Sequence, residues 1–186
     1  MNDVIAPWYR RHLLLVVCLS LFCGFFVCWF GCKWKSKPTI VYIVRHAEKG
    51  PDPGNGDPAL SAPGIARAAE LARVLDRCDV EVAYATQFQR TQQTVAPTAT
   101  QEALTPILLQ SSDVAGLVAS IRSNDRGKIV LVAAHSNSAP EIVLELCGAT
   151  VPAIDDATEF DNLYQVFLPR CGSPKLQHMK YGAPSP

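Results

Sequence analysis

The chain has no excess of either charge, since 17 lysines and arginines balance 17 acidic residues over 186 residues. A nucleic-acid-binding surface needs clustered basic residues, so this composition does not indicate one. The seven cysteines form no C-x-x-C pair, and an odd three lie beyond residue 32. That spacing disfavours both a disulfide framework and a zinc site. With no internal repeat or low-complexity stretch, we expect one globular domain of about 150 residues.

One long apolar run is present near the N-terminus, HLLLVVCLSLFCGFFVCWFGC at residues 12–32. About 20 apolar residues in a helix span about 30 Å, the thickness of a bilayer's hydrocarbon core. Trp8 and Tyr9 precede the run and Trp29 and Trp34 lie at its far end, as membrane interfaces favour. The run is long for a cleaved signal peptide and no small-residue cleavage site follows. We therefore predict an uncleaved transmembrane helix over residues 13–32.

This anchor divides the chain into four segments. They are an N-terminal tail (1–12), the transmembrane anchor (13–32), a linker (33–38) and a globular domain (39–186). Basic residues stand on both sides of the anchor, so the positive-inside rule gives no orientation. The sequence predicts a single-pass membrane protein and leaves open on which side of the membrane the domain lies.

Strand and helix patterns alternate through the domain. PTIVYIVRH and GKIVLVAAH are near-continuous apolar runs, typical of strands buried on both faces. Ser61 and Pro63 predict the start of a helix, and Pro97 predicts the end of the next one. NLYQVFLP and KLQHMKY indicate a closing pair of strands. The alternation predicts an α/β fold, a three-layer sandwich whose largely parallel central sheet carries helices on both faces.

Two of these strands end in a histidine, His46 and His135. The carboxyl ends of parallel strands meet at one edge of a sheet, so both imidazoles are expected in one crevice. Arg45 precedes the first histidine, and Arg90 opens a helix that starts from the same edge. Two guanidinium groups and two imidazoles suit a phosphoryl group with its tetrahedral oxygens.

Such a group of residues can do more than bind. A neutral imidazole is a nucleophile towards phosphorus, and fixed cations stabilise the charge that develops on the phosphoryl oxygens. Because the arginines supply the positive charge, we expect neither a metal nor a cofactor. The leaving oxygen needs a proton, so a carboxylic acid is expected nearby.

The segments VRHAEK, LSAPGIARA, RTQQT and VLVAAHSNSAPEIV resemble, in order and spacing, the histidine phosphatase superfamily with its phosphoglycerate mutase-like fold. The resemblance implies a phosphohistidine intermediate on His46, the nucleophile of the family's R-H-G-E block. It implies that Arg45 and Arg90 bind phosphate. His135 corresponds to the family's second histidine and is expected both to bind phosphate and to assist catalysis.

The chain departs from the family pattern at two points. Ala47 replaces the usual glycine, which is similar to the R-H-A-E-K form of small bacterial members. The glutamate that serves as the acid in longer members has no counterpart here. Asp113 lies nearest to its position and is the expected proton donor, with Asp57 and Glu48 as alternatives.

The sequence thus predicts a membrane-anchored, metal-independent phosphatase that acts through a phosphohistidine on His46. Its expected substrate is a phosphorylated small molecule, a lipid or a protein. We expect no nucleic-acid partner. Two alternatives remain open. One is a mutase, which the short stretch between Thr94 and His135 disfavours. The other is a non-catalytic, membrane-tethered phosphate-binding module, which the intact set of four site residues disfavours.

Overall fold

A computed structural model describes residues 37–185 of the chain. The predicted tail, the predicted anchor at 13–32 and most of the linker lie outside this range. Within residues 37–185, no helix has the length and apolar character needed to cross a membrane. The anchor therefore stays a prediction.

The described range folds into six strands and four helices that alternate from β1 to α4. In chain order they are β1 (Thr39–Arg45), α1 (Ala62–Leu75), β2 (Val82–Thr86), α2 (Gln89–Gln101), β3 (Ile107–Leu109), α3 (Val114–Asn124), β4 (Ile129–Ala134), α4 (Ser138–Cys147), β5 (Asn162–Leu168) and β6 (Lys175–Lys180).

The strands form one mixed sheet in the order β3-β2-β4-β1-β5-β6. The first four are mutually parallel, whereas β5 pairs antiparallel with β1 and β6 antiparallel with β5. The parallel character that the apolar runs predicted is confirmed for those four strands. The closing pair, which the sequence also predicted, makes the whole sheet mixed.

The alternation of side chains along the strands divides the core into two layers. Val41 and Ile43 of β1 pack into a cluster with buried residues of α3 and α4. Tyr42 and Val44 face the opposite side, in a second cluster that includes Leu71 of α1. Helices therefore cover both faces of the sheet, as predicted. The burial of β1 and β4 on both sides explains their near-continuous apolar sequences.

The start of α1 is confirmed, and the predicted end of α2 is wrong. The hydroxyl of Ser61 accepts a hydrogen bond from the backbone N–H of Gly64 at 3.2 Å, as an N-cap does. Helix α2 continues four residues beyond Pro97 to Gln101. Thr98 and Ala99 are buried in that last turn, so tertiary packing outweighs the hydrogen bond that proline cannot donate.

Candidate active site

His46 and His135 lie side by side at the carboxyl edge of the sheet. Strands β1 and β4 are parallel neighbours in which Arg45 is opposite Ala134, so the next residue of each strand is a histidine. The backbone N–H of His46 donates to the carbonyl of Ala134 at 2.9 Å and continues the pairing. The two ring centroids are 5.4 Å apart. The structure thus brings together the two imidazoles that the strand ends predicted.

The environment of His46 defines which ring nitrogen is available for chemistry. Nδ1 lies 2.8 Å from the carbonyl oxygen of Ala47, which accepts a hydrogen bond only from a protonated Nδ1. In the neutral ring, Nε2 then carries the lone pair. Burial, the main cause, lowers the pKa of His46 to about 3, and the charges of Arg45 and Arg90 add to the effect. The ring is therefore neutral at physiological pH, with Nε2 as its nucleophilic atom.

His135 is held by the end of β2. Its Nε2 lies 3.1 Å from the hydroxyl of Thr86, which in turn lies 2.9 Å from the hydroxyl of Thr91. The ring of Phe88 meets the imidazole edge-on, with centroids 5.5 Å apart. Burial and the nearby charge of Arg90 lower the pKa of His135 to about 4. His135 is therefore also a neutral imidazole in the ligand-free site.

Arg90 enters the site from the first turn of α2. Its guanidinium stacks over the ring of Phe88 at 4.2 Å from the centroid, and Nη1 lies 3.8 Å from the carboxylate of Asp57. Its Nε is buried and has no hydrogen-bond partner within residues 37–185. A buried guanidinium N–H without a partner costs free energy, which an anionic ligand accepting from it would recover.

Arg45 is completely buried, and most of its donors hold one acidic segment. Nη1 donates to the carbonyl oxygens of Asp155 and Glu159 at 2.9 and 2.8 Å. Nη2 donates to the carbonyl and to the carboxylate of Asp156 at 2.6 and 2.8 Å, and Phe160 packs on the guanidinium face. Its Nε is buried without a partner within the described range. Arg45 thus fixes segment 155–160 against the site, and its Nε–H is the one donor of this guanidinium that stays uncommitted within the described range.

Helix α1 fixes the loop that follows His46. Arg67 is buried and its Nε and Nη2 contact both carboxylate oxygens of Glu48 at 2.7 to 3.0 Å. Ser61 donates its backbone N–H and its hydroxyl to the carbonyl of Glu48. A Cβ at Gly64 would overlap that same carbonyl oxygen, so only glycine permits this approach. These contacts make Glu48 a positioning residue for the loop.

An open cavity of about 370 Å³ contains the site, a size typical of small-ligand pockets. Its wall includes His46, His135 and Arg90. It also includes residues that the sequence analysis did not identify. They are Lys49, Phe88, Ser111, Ser112, Ser136, Asn137 and Asp156. Of these, Lys49 directly follows the R-H-A-E block and Ser136 and Asn137 follow His135, so their adjacency to motif residues was a usable signal.

None of the three carboxylates considered as the proton donor lines this cavity. Asp113 is the N-cap of α3, where its Oδ1 accepts from the backbone N–H of Gly116 at 2.9 Å. Glu48 is paired with Arg67. Asp57 accepts from the backbone N–H of Gln89 at 2.9 Å and faces Arg90. The carboxylate on the cavity wall is instead that of Asp156.

The site therefore combines a neutral nucleophilic nitrogen with buried cationic groups. Within residues 37–185, the Nε–H groups of Arg45 and Arg90 have no hydrogen-bond partner, and Arg90 and Lys49 line the cavity together with the two imidazoles. A tetrahedral oxyanion satisfies this arrangement, because its several oxygens accept from separate donors. The described residues contain no group of three or more histidine, cysteine or acidic side chains placed to hold a metal ion. Fold and site together are those of an α/β protein with a cationic pocket beside two histidines at the carboxyl edge of its sheet.

Comparisons with known proteins show which family the chain resembles. Residues 41–111 match the model of the histidine phosphatase superfamily (branch 1). This segment runs from β1 through Arg90 to Ser111 on the cavity wall, and so includes the R-H-A-E motif. No curated protein matches the chain. Over residues 41–111 the chain is therefore similar to the histidine phosphatase superfamily.

Solved structures extend the likeness over the whole domain. The protein histidine phosphatase SixA, complexed with tungstate, has 23% identity and a TM-score of 0.62, over 76% of this chain and 96% of that one. A mycobacterial glucosyl-3-phosphoglycerate phosphatase complexed with VO3 has 12% identity and a TM-score of 0.59, over 77% and 99%. The same mycobacterial enzyme with inorganic phosphate has 15% identity and a TM-score of 0.57, over 77% and 97%. At these identities the comparison establishes the common fold.

Proposed function

We propose that this protein is a metal-independent phosphatase that hydrolyses a phosphomonoester or a phosphoprotein through a phosphohistidine on His46. The observation that carries the proposal is the neutral His46 ring, whose Nδ1 donates to the Ala47 carbonyl, together with two buried guanidinium Nε–H groups that have no partner in the described part of the chain. A nucleophilic Nε2 next to unused donors for an oxyanion is what phosphoryl transfer to histidine requires.

In the first step Nε2 of His46 attacks phosphorus in line with the leaving oxygen. The P–Nε2 bond forms, the P–O bond breaks, and the leaving oxygen takes a proton from a water molecule as the alcohol or phenol departs. Arg90, Arg45 through its Nε, and His135 stabilise the charge on the equatorial oxygens. In the second step water attacks phosphorus, the P–Nε2 bond breaks, and inorganic phosphate leaves.

The likeness to solved phosphatases supports the same ligand chemistry. Tungstate, VO3 and phosphate, which are bound in those structures, are oxyanions of the kind that the donors of this site suit. The open cavity and its polar wall favour an exposed phosphoryl group on a small molecule, a lipid or a protein side chain. Because one of these neighbours is a protein histidine phosphatase, a phosphohistidine peptide is one of the substrates to test.

The N-terminal apolar run supports a location at a membrane. A helix over residues 13–32 would anchor the domain as a single-pass protein and bring it within reach of lipid or membrane-protein substrates. Alkaline carbonate extraction of membranes tests this. The full-length chain should stay in the membrane pellet, and its release into the supernatant would contradict the anchor.

Phosphate release from an aryl phosphate tests the activity. The full-length protein should turn the substrate over in the presence of a chelator, and His46→Ala should abolish turnover. His178→Ala is the matched control, because His178 is an exposed histidine on β6 outside the cavity and its loss should leave turnover intact. Turnover that survives His46→Ala would refute the nucleophile.

The same assay separates the alternatives. A mutase would return the phosphoryl group to a second hydroxyl of its substrate and release little free phosphate. A non-catalytic module would bind phosphate or vanadate and release none from any substrate. Product analysis after a single turnover distinguishes these outcomes from hydrolysis.

A further inference from the structure

Asp156 stands out among the acidic residues near the site. Within residues 37–185 it is the carboxylate on the wall of the His46 cavity. The neighbouring Asp155 is committed elsewhere, because its side chain accepts from the backbone N–H groups of Ala157 and Thr158 at 2.7 and 3.0 Å. Asp156 is therefore the candidate for proton transfer in this cavity.

The two oxygens of Asp156 have different surroundings. Oδ1 accepts from Nη2 of Arg45 and from the hydroxyl of Ser136, both at 2.8 Å. Oδ2 lies 3.8 Å from Nζ of Lys49, which is beyond hydrogen-bond distance. The side chain is 64% exposed. Oδ1 thus fixes the carboxylate in place, whereas no hydrogen bond within residues 37–185 occupies Oδ2 of this cavity-lining residue.

The charge state of Asp156 suits a proton acceptor better than a proton donor. Burial alone would raise the pKa of Asp156, but the hydrogen bond from Ser136 and the charges of Arg45 and Lys49 outweigh it and hold the pKa below its usual value. The group is therefore an ionised carboxylate at neutral pH. An ionised carboxylate accepts a proton and has none to donate.

We propose that Asp156 is the general base of the second half-reaction, which hydrolyses the phosphohistidine. This inference rests on the proposed function. Oδ2 accepts a proton from water while the water oxygen forms its bond to phosphorus. The P–Nε2 bond breaks and its electron pair returns to the ring of His46. The products are inorganic phosphate, neutral His46 and protonated Asp156, which returns its proton to solvent.

The substitution Asp156→Asn isolates this role. The amide oxygen of asparagine still accepts from Arg45 and Ser136, whereas the negative charge and the basic Oδ2 are lost. Formation of the phosphoenzyme should therefore stay within about threefold of wild type. Its hydrolysis should slow by about 10²- to 10⁴-fold, the usual contribution of a general base.

Rapid mixing of the full-length protein with an aryl phosphate separates the two steps. Asp156→Asn should give a burst of about one phenol per site followed by slow turnover, as expected when the second step limits. Alkaline quench during slow turnover should recover phosphate bound to protein. Asp79→Asn is the matched control. Asp79 is exposed and precedes β2 at the opposite edge of the sheet. Its positive φ is one that asparagine tolerates. Its kinetics should equal those of wild type.

Ser136→Ala provides a second measurement that keeps the carboxylate. Without the Ser136 hydroxyl, Oδ1 retains Arg45 but loses one of its two fixed partners. The steady-state fraction of phosphoenzyme should rise above wild type, by less than in Asp156→Asn. This variant decides the matter if Asp156→Asn fails to fold.

Two results would overturn the assignment of Asp156. One is unchanged turnover in Asp156→Asn. If Asp156→Asn does not fold, the corresponding result is an unchanged phosphoenzyme fraction in Ser136→Ala. The other is a slowed burst with no accumulation, which would place Asp156 in the first step. Failure of the proposed function looks different, because wild type itself would then form no phosphoenzyme and release no phosphate.

Discussion

The two buried imidazoles make the stability of the domain depend on pH. Burial lowers the pKa of His46 to about 3 and that of His135 to about 4. In the unfolded chain both return to about 6.5. Below pH 6.5 the unfolded chain binds protons that the folded domain excludes, so the free energy of unfolding falls as the pH is lowered. The loss continues until the pH reaches the folded-state pKa values.

These pKa values set the size of the effect. Between pH 7 and pH 5, linkage gives a loss of about 2 kcal/mol for each histidine. Replacing His46 by asparagine removes one of the two contributions, and the side-chain N–H of asparagine can replace the Nδ1–H donor to Ala47. Any cost of the smaller side chain is the same at both pH values, so it cancels when the pH dependence of variant and wild type is compared.

Urea unfolding of residues 37–186 at pH 7, 6 and 5, followed by circular dichroism, measures this dependence. His46→Asn should lose about 2 kcal/mol less than wild type between pH 7 and pH 5. His178→Asn, at an exposed histidine, should keep most of the wild-type dependence. Equal pH dependence in His46→Asn and wild type would refute the neutral, buried state of the His46 ring.

Three further predictions concern ligand binding, packing and the anchor. Arg90→Ala should weaken vanadate binding by about 1.5 to 3 kcal/mol, measured by inhibition, because it removes charged donors; unchanged affinity would remove Arg90 from the site. Gly64→Ala should destabilise the domain by about 1 to 3 kcal/mol and reduce turnover, because its Cβ overlaps the Glu48 carbonyl; wild-type stability and turnover would contradict this contact. A chain that starts at Lys37 should be soluble and active, and its recovery in the membrane fraction would show that the anchor boundary is wrong.

The convergence of the site could be predicted because it follows from sheet topology. His46 and His135 each end an apolar strand, and parallel strands bring their carboxyl ends to one edge. Arg90 follows the next strand of the same sheet, so it reaches the same edge at the start of α2. Short-range patterns sufficed in these cases because each residue is placed by the element that it ends or begins.

The acidic segment that contacts Arg45 could not be predicted in this way. Asp156 lies more than 100 residues from Arg45 in a stretch between α4 and β5 that is neither helix nor strand. No periodicity fixes the direction of a side chain in such a stretch, and only the tertiary contact to a buried guanidinium does so. For this reason the sequence indicated that Arg45 would bind phosphate but not that it would also hold this segment.

Asp113 carried a local signal that points to its place in the structure. An aspartate directly before an apolar helical pattern is a common N-cap, and Asp113 caps α3 through Gly116. Its place nearest to the position of the family's glutamate acid suggested a catalytic role, whereas its position relative to the helix indicated a structural one. The local pattern was the better guide to its contacts.

The central claim is that His46 carries the phosphoryl group during turnover. Rapid acid-free quench of the full-length protein with substrate, followed by ³¹P NMR and peptide mass spectrometry, tests it most directly. We expect a single phosphoryl group on Nε2 of His46 that is stable in base and lost in acid. A phosphoryl group on any other residue, or phosphate release with no phosphorylated protein at any time, would contradict the account.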